Sequence, residues 1–198
     1  MRGLNGPERY ATAVAVIDSA NAEDPNQIEV RGEHLPLALV HGQLAAEWIE
    51  RLVADPDEAL LLAARAHHLR RWELPRSSYP EGRAGYLRWR RDQKDRHARD
   101  IAELLGSVGY DEATIHRAQF LVRRQRIDAE SGTQAVEDAA CLVFLETQLV
   151  DVAEQLDHGH LVDVLRKTAK KMSRDALALV DEVPLDEKAR TILADALG

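Results

Sequence analysis

Cysteine is almost absent from the sequence, because Cys141 is the only one among 198 residues. A single cysteine excludes an internal disulfide and is typical of a protein kept in a reducing compartment. Long apolar runs are absent too, since none approaches the roughly 20 residues that span a bilayer. The first residues contain no apolar stretch of the kind that a signal peptide needs. We therefore expect a cytoplasmic protein with no membrane partner.

Three familiar catalytic and binding signatures are also missing. The sequence contains no glycine-rich phosphate loop, no Ser-His-Asp pattern and no zinc-finger spacing. Its formal net charge is -8 and its pI is about 5.5, which argues against non-specific nucleic-acid binding. A nucleic-acid partner is therefore not expected, and the function has to be inferred from how individual polar side chains are arranged.

Alternating strand patterns are not convincing anywhere, whereas helix-forming Ala, Leu, Glu and Arg dominate the sequence. The chain length suits one domain, and we predict a single helical domain over 1–198. Its core covers about 7–156, and C-terminal helices over 160–198 pack on that core. Segment 23–36 is predicted to be irregular. The predicted helices cover about 7–21, 37–54, 58–71, 86–108, 112–127 and 134–156, with a possible break in the middle of 86–108.

Four predicted helices each place a histidine or an aspartate along the face that their apolar residues define. These residues are His41, the adjacent His67 and His68, His97, and Asp138. Burying such a group without a partner costs on the order of a few kcal/mol. Taken singly, each is explained as a hydrogen-bonded core residue or an ion pair. Four coincident cases favour contact among these residues or a shared metal ion.

The order of these residues resembles the HD-domain superfamily of metal-dependent phosphohydrolases, as does segment 57–68, which leads to the histidine pair. That superfamily uses a His, a His-Asp pair on a later helix and a final Asp. The resemblance implies an all-α, HD-domain-like helical bundle and a divalent metal ion, Fe, Mn or Zn. It implies metal ligands at His41, His67, His68 and Asp138, and His97 is similar to an additional His of binuclear members.

One residue departs from the HD pattern, because the second member of the pair is His68 instead of an Asp. A neutral imidazole cannot bridge two metal ions as a carboxylate does, and it contributes no negative charge. The resemblance therefore implies a mononuclear site on His41, His67 and Asp138. In that site His68 is either a fourth ligand or a general acid/base.

Three longer segments resemble the family catalogued as domain of unknown function 4202. They are RRWELPRSSYP at 70–80, RAGYLRWR at 83–90 and EDAACLVFLE at 137–146. This resemblance is more specific than the first and covers most of the chain, but it implies no activity.

Segment 65–99 is strongly basic within an acidic protein, with ten arginines and Lys94 against four acidic residues, a net charge of +7. Arginine offers paired donors that match carboxylate or phosphate, and aromatic rings stack on guanidinium groups. The alternative is that several of these arginines form a solvated face or pair with acidic residues. The turn-rich stretch 75–85 is either a lid or a plain connector. The predicted substrate-binding residues are Arg70, Arg71, Arg76, Tyr79 and Arg88.

Three functions follow as hypotheses. The first is a metal-dependent enzyme that activates water against an anionic, for example phosphorylated, small molecule, with His68, Lys94 and His97 as catalytic groups. The second is an iron-dependent oxygenase of the HD-like kind, for which a histidine-rich ligand set is suited. The third is a non-catalytic module that binds an anion or a protein through its arginine face. The oligomeric state, including a homodimer, stays open.

Overall fold

The computed structural model describes residues 6–30, 32–124, 131–185 and 187–197, and this part of the chain is mostly α-helical. Two strands form a small antiparallel hairpin in which Gln27 pairs with Pro36. None of the described helices is long and apolar enough to cross a membrane. The elements are α1 (Gly6–Asn21), β1 (Gln27–Val30), β2 (Glu33–Pro36), α2 (Leu37–Leu52), α3 (Glu58–Arg65), 3-10 turns at Arg71–Glu73 and Arg76–Ser78, α4 (Gly82–Val108), α5 (Glu112–Arg123), α6 (Ser131–Thr147), α7 (Leu149–Gln155), α8 (His158–Ala169), α9 (Arg174–Ala178), a 3-10 turn at Val180–Glu182, and α10 (Glu187–Leu197).

The mostly all-α class agrees with the sequence prediction, but several boundaries differ. Segment 23–36 contains the hairpin instead of being wholly irregular, and α4 begins at Gly82 and runs unbroken to Val108. Helix α5 ends at Arg123, and the remainder of its predicted range, 125–127, lies outside the described residues. The C-terminal segment forms three shorter helices, because Asp157 and Ser173 each cap the start of a new one.

The predicted helix over 134–156 is two helices, α6 and α7, with the change of direction at Gln148. The Thr147 hydroxyl donates a hydrogen bond to the Val143 carbonyl one turn earlier, at 2.7 Å. Such back-bonding from Ser or Thr bends helices. Gln148 then leaves the helical conformation, with φ of -128° and ψ of -9°.

The predicted helix over 58–71 ends early, at Arg65, and this places both histidines of the pair in tight turns. The His67 amide bonds to the Ala64 carbonyl, and the Leu69 amide bonds to the Ala66 carbonyl. Arg70 then adopts the left-handed conformation with φ of +49°. A residue in that conformation ends a helical path and turns the chain. The two histidines therefore follow the last turn of α3 and face neighbouring helices.

The core is one apolar cluster to which nearly every helix contributes. Helix α2 packs on α3 and α6, while α5 packs on α3 and α4. Side chains of α8, the segment before α10, and α10 join the same cluster through Leu161, Leu165, Val183 and Ala189. The acidic caps of α3 and α5, Asp57 and Asp111, fix where those helices begin. Because α2 contacts both α3 and α6, it lies at the centre of the fold, beside the turns that carry the histidine pair.

Gly42 allows α2 to approach the end of α3 closely. A β-carbon added at this position would lie 2.4 Å from the Arg65 carbonyl oxygen, which is a backbone atom and cannot rotate away. Gly42 directly follows His41, so its lack of a side chain sets how near His41 comes to the turn after α3.

Gly42→Ala is therefore expected to destabilise the protein by about 1–3 kcal/mol, because overpacking forces the two helices apart. The measurement is the urea dependence of helical circular dichroism. Gly106→Ala in α4 is the matched control, because its β-carbon would meet only the end of Ile115, at 4.0 Å. That control is expected to be neutral or to stabilise by about 0.5–1 kcal/mol. Equal stability of the two variants would contradict the close approach.

Candidate functional site

Four histidines from three parts of the fold form one cluster. His41 comes from α2, His67 and His68 from the turns after α3, and His97 from the middle of α4. The ring centroids of His67 and His68 are 4.1 Å apart, those of His41 and His68 5.2 Å, and those of His68 and His97 6.5 Å. The structure thus brings together the four histidines that the sequence places on buried helix faces, with His68 in the middle.

Each histidine is oriented by at least one hydrogen bond. His41 Nδ1 lies 3.0 Å from His68 Nδ1, and His41 Nε2 lies 3.2 Å from the Thr147 hydroxyl oxygen. His67 Nδ1 bonds to the Ala64 carbonyl at 2.8 Å, and His97 Nδ1 bonds to the Leu69 carbonyl at 2.7 Å. A carbonyl can only accept, so Nδ1 carries the proton in both rings. In the neutral form of these two rings, Nε2 is therefore unprotonated and carries a lone pair.

All four imidazoles are held in the neutral form. Burial, together with the positive charge of nearby Arg71, lowers the pKa of His41 to about 4 and that of His97 to about 3. Burial also lowers the pKa of His67 and of His68 well below the ordinary value, with positive neighbours adding to the effect. Neutral imidazoles accept protons or bind metal ions, so the cluster is in the chemically active form at neutral pH.

Beside the histidines lies a cavity of about 310 Å³, closed mainly by α4, α6 and α8. This volume is at the lower end of the range for small-molecule sites. His68 and His97 form part of its wall. The remaining lining residues are Arg71, Tyr86, Trp89, Arg90, Gln93, Lys94, Arg124, Glu137, Ala140, Cys141, Phe144, Gln148, Val164, Thr168 and Lys171.

The cavity wall carries five cationic side chains and one acidic one. Glu137 pairs with Arg124 at 3.2 Å and with Lys171 at 3.8 Å. Arg71, Arg90 and Lys94 have no carboxylate within ion-pair distance among the residues that the structure describes. A cavity with unpaired cations on its wall attracts anions, because a bound anion would interact favourably with those cations.

Burial and, to a smaller extent, the neighbouring cations lower the proton affinity of two of these cationic side chains. Burial lowers the pKa of Lys94 to about 8, with Arg124 and Arg90 as the next causes. Burial lowers the pKa of Arg71 to about 10, and Arg124 again adds to the effect. Each group would hold its proton more tightly if an anion entered the cavity.

Helix α4 and its neighbouring turn fix the orientation of the arginines. The Arg71 guanidinium stacks on the Trp89 ring, 4.6 Å from its centroid, and Arg90 lies over Tyr86 at 5.8 Å. The Gln93 side-chain amide donates to the Arg71 and Leu74 carbonyls, both at 2.9 Å. Stacked guanidinium groups lose less entropy when they bind a ligand, so these arginines are prepared for recognition.

A second cavity, of about 80 Å³, adjoins the first on the other side of His68. His68, Arg71 and Gln148 line both cavities, whereas His41 lines only the smaller one together with Asp24. The His41–His68 pair therefore has one member on the smaller cavity alone and one on both cavities.

Asp138 makes its hydrogen bonds away from the histidine cluster. It is buried, but its Oδ1 accepts hydrogen bonds from the Gln134 side chain at 2.8 Å and from the Ser173 amide at 2.9 Å. Burial raises the pKa of this carboxyl, and the two bonds oppose that effect. In the described structure Asp138 ties α6 to the start of α9, and its carboxylate has no recorded contact with a histidine.

The predicted substrate-binding residues divide into two groups. Arg71 lines the large cavity, as do the predicted catalytic groups His68, Lys94 and His97. Arg76 instead holds its own turn by donating to the Tyr79 and Pro80 carbonyls, and Arg88 approaches Asp92 at 3.9 Å. The other two are also engaged locally: the Tyr79 hydroxyl donates to Asp92 at 2.9 Å, and Arg70 lies 4.0 Å from Glu73.

Several cavity residues were not predicted from the sequence. Arg90 could have been found, because Tyr86, Arg90, Lys94 and His97 recur at helical spacing on one face of α4. Arg124, Glu137 and Lys171 carry no comparable signal. They reach the cavity because the ends of α5 and α8 and the body of α6 meet there, which is a property of the tertiary structure.

The histidines fit the predicted metal centre only in part. His67 and His97 have the arrangement that is usual for metal ligands, with Nδ1 bonded to a carbonyl and Nε2 buried without a partner. Both nitrogens of His41 are engaged, however, and Asp138 bonds elsewhere. Within the described ranges no three His, Cys, Asp or Glu side chains form a group that could hold a metal ion. The predicted set of His41, His67 and Asp138 is therefore not assembled.

Comparison with known proteins identifies a family but no activity. The family model described as "Domain of unknown function (DUF4202)" matches residues 11–193. No curated protein and no solved structure matches the chain. The likeness to the HD-domain superfamily stays a prediction.

The lowered pKa of Lys94 predicts how anion affinity depends on pH. The Lys94 ammonium faces Arg90, Arg124, Lys171 and Glu137. It is charged below its pKa and neutral above it, so affinity for sulfate is expected to be nearly full at pH 7 and to stay so at lower pH. The affinity should fall as the pH rises from 7 through 9, at a somewhat higher pH in the complex because the bound anion raises that pKa.

The measurement is sulfate binding by titration calorimetry at several pH values, since sulfate keeps its charge throughout this range. Lys94→Met should bind sulfate roughly tenfold more weakly at pH 7, because a charge-assisted hydrogen bond contributes about 1.5–3 kcal/mol. Its affinity should no longer fall towards pH 9. Lys167→Met, at an exposed lysine of α8, is the control and should behave as the unmodified protein. An unaltered pH profile in Lys94→Met would contradict the assignment.

Proposed function

The chain belongs to the DUF4202 family, and we propose that it is an enzyme that binds a phosphorylated small molecule in the large cavity and uses His68 as a general base. One observation carries the proposal. A neutral histidine, held by a second histidine, lies in the wall of a cavity that has five cationic side chains and one acidic one. This combines a proton acceptor with a binding site for negative charge.

Phosphate is the anion that this cavity suits best. A phosphate group presents several oxygens in different directions, whereas a single carboxylate presents two in one plane. Arg71, Arg90 and Lys94 approach from separate positions on the wall, and each lacks a carboxylate partner in the described structure. Arginine pairs with phosphate through two parallel donors, and lysine adds a compact charge.

A small ligand is favoured over a polymer. The whole protein has a net charge of -8, so its surface repels extended polyanions while the cavity attracts a compact one. The cavity also has an apolar side that includes Phe144 and Val164. A ligand with a phosphate group and a modest apolar part would contact both sides.

The proposed reaction is hydrolysis of the phosphate ester by water. His68 is neutral before the ligand binds, and the positive charge of Arg71 lowers its proton affinity. A negative ligand would offset that charge and so raise the proton affinity of His68 when a base is needed. His68 would take a proton from a water molecule while the oxygen of that water forms a bond to phosphorus. The arginines would stabilise the charge on the phosphoryl oxygens. As the bond between phosphorus and the ester oxygen breaks, Lys94, with a pKa near 8, would donate a proton to that leaving oxygen.

His68→Gln is expected to lower kcat by about 100-fold or more, because a general base contributes about that much, while sulfate still binds. The measurement is steady-state hydrolysis of a panel of phosphomonoesters and organic diphosphates, followed by phosphate release. His158→Gln, at an exposed histidine in the first turn of α8, is the matched control and should retain full activity. Full activity of His68→Gln would reject the proposal. Tight sulfate binding without turnover of any compound would support a binding module instead.

A second candidate is a metal-dependent enzyme, favoured by the two buried and unpartnered Nε2 atoms of His67 and His97. Fe, Mn or Zn would each accept imidazole nitrogen, although further ligands would have to be supplied on binding. A bound iron ion would be consistent with an oxygenase, whereas Fe, Mn or Zn would each be consistent with a hydrolase.

Elemental analysis of the purified protein tests this second candidate. About one equivalent of Fe, Mn or Zn is expected if it is right, with loss of the metal in a variant that combines His67→Ala and His97→Ala. His158→Gln should keep the metal. Oxygen consumption by an iron-containing sample would separate an oxygenase from a hydrolase. Metal-free protein that remains active in the presence of a chelator would reject metal dependence.

A further inference from the structure

We propose that Thr147 is a positioning residue that determines which nitrogen of His68 is free to act as a base. Thr147 does not line the large cavity, but it is linked to His68 through His41. The assignment of protons follows from the hydrogen bonds alone. Its consequence for catalysis rests on the proposed role of His68.

The Thr147 hydroxyl has one proton, and it donates that proton to the Val143 carbonyl in a hydrogen bond. The Thr147 oxygen lies 2.7 Å from that carbonyl, which can only accept. The same oxygen lies 3.2 Å from His41 Nε2. Because its proton is already donated, the hydroxyl must accept from His41, and therefore Nε2 of His41 carries a hydrogen.

The remaining protons follow in turn. His41 is neutral, so a hydrogen on Nε2 leaves its Nδ1 bare. The 3.0 Å contact between the two Nδ1 atoms then requires that His68 donate from Nδ1 to His41. A neutral His68 with its proton on Nδ1 has a bare Nε2. That nitrogen is the one left to take a proton from water.

The opposite arrangement would disable His68 as a base. It requires the Thr147 hydroxyl to leave the Val143 carbonyl and donate to His41 Nε2, after which His41 donates from Nδ1 and His68 holds its proton on Nε2. The distances favour the first arrangement, because 2.7 Å is a full-strength bond for a hydroxyl whereas 3.2 Å is long. The Val143 carbonyl thus determines the donor in each bond, so that His68 donates to His41 and His41 donates to Thr147.

The groups around this pair do not supply another way to fix the tautomer. Arg71, Arg124 and His67 lie close enough to affect the proton affinity of His68, but the arginines are donors only. Asp24, on the smaller cavity, accepts from the Asn26 amide and side chain and from the Ala38 amide, so its carboxylate is already occupied. Among the described residues, Thr147 is the one recorded partner that orients His41 from outside the histidine cluster.

The test is to compare Thr147→Val, which keeps the shape and removes the hydroxyl, with Thr147→Ser, which keeps the hydroxyl. Nitrogen NMR of histidine-labelled protein near pH 7.5 reports the tautomer of each ring without any substrate. Unmodified protein and Thr147→Ser should show His41 protonated on Nε2 and His68 on Nδ1. Thr147→Val should show a mixture or a reversal at both rings.

Two controls separate this role from a general structural one. Thr12→Val removes a hydroxyl that makes the same bond to a carbonyl four residues earlier, in α1, and should leave both tautomers unaltered. Thermal unfolding of each variant shows whether it is folded. If Thr147→Val is folded and its tautomers match those of the unmodified protein, the proposal is wrong.

Kinetics test the catalytic consequence. With a substrate identified by the hydrolysis panel, Thr147→Val should lower kcat about 10- to 100-fold with little change in KM, because binding does not depend on the tautomer. Thr147→Ser should restore most of the rate. A reversed tautomer with an unchanged kcat would overturn the catalytic role of Thr147, while full activity in His68→Gln would instead overturn the proposed function itself.

Discussion

The close approach of α2 to the end of α3 is the contact on which the site depends. Gly42 lies directly under the Arg65 carbonyl, at a separation that leaves no room for a β-carbon. Arg65 is in turn held to α1 by a two-pronged ion pair with Asp18, at 2.6 Å for both contacts. Three helices therefore meet where the chain turns into His67 and His68. If α2 were farther away, His41 would lose its bond to His68, which is the hydrogen bond that orients the His68 ring in the described structure.

Burial and a local excess of positive charge together account for the protonation state of the site. Burial lowers the proton affinity of His68, Arg71 and Lys94, and the neighbouring cations lower it further, so the imidazole stays neutral. Several arginines elsewhere in the basic segment are neutralised by acidic partners. Arg96 pairs with Glu73 and Asp100, and Arg91 pairs with Asp92. The cavity differs from these pairs, because Arg71, Arg90 and Lys94 have no acidic partner among the described residues. An external anion would be needed to neutralise them.

Helical periodicity predicted the parts of this site that are local. It placed His41, His67, His68 and His97 on buried faces, and a buried polar group must find a partner. The same argument placed Asp138 there too, but periodicity cannot tell which partner a buried carboxylate will find. Asp138 bonds to the Ser173 amide, 35 residues away in sequence, at a turn whose position only the tertiary structure decides. Charge counting identified the basic segment, but it could not separate Arg71, which faces the cavity, from Arg76, which holds its own turn.

The resemblance to HD-domain enzymes and the structure lead to different expectations for His68. In the HD pattern the residue at this position is a carboxylate whose charge helps to hold metal ions. Here it is an imidazole, and its surroundings follow from that difference. A carboxylate would attract Arg71 and occupy it, whereas a neutral ring leaves Arg71 available to attract a ligand. An imidazole also has a second nitrogen, and that nitrogen is bonded to His41. Under the proposed function, a histidine at this position would therefore supply an oriented base beside the cationic cavity. This is why the cationic cavity and the histidine pair are best understood as one functional unit.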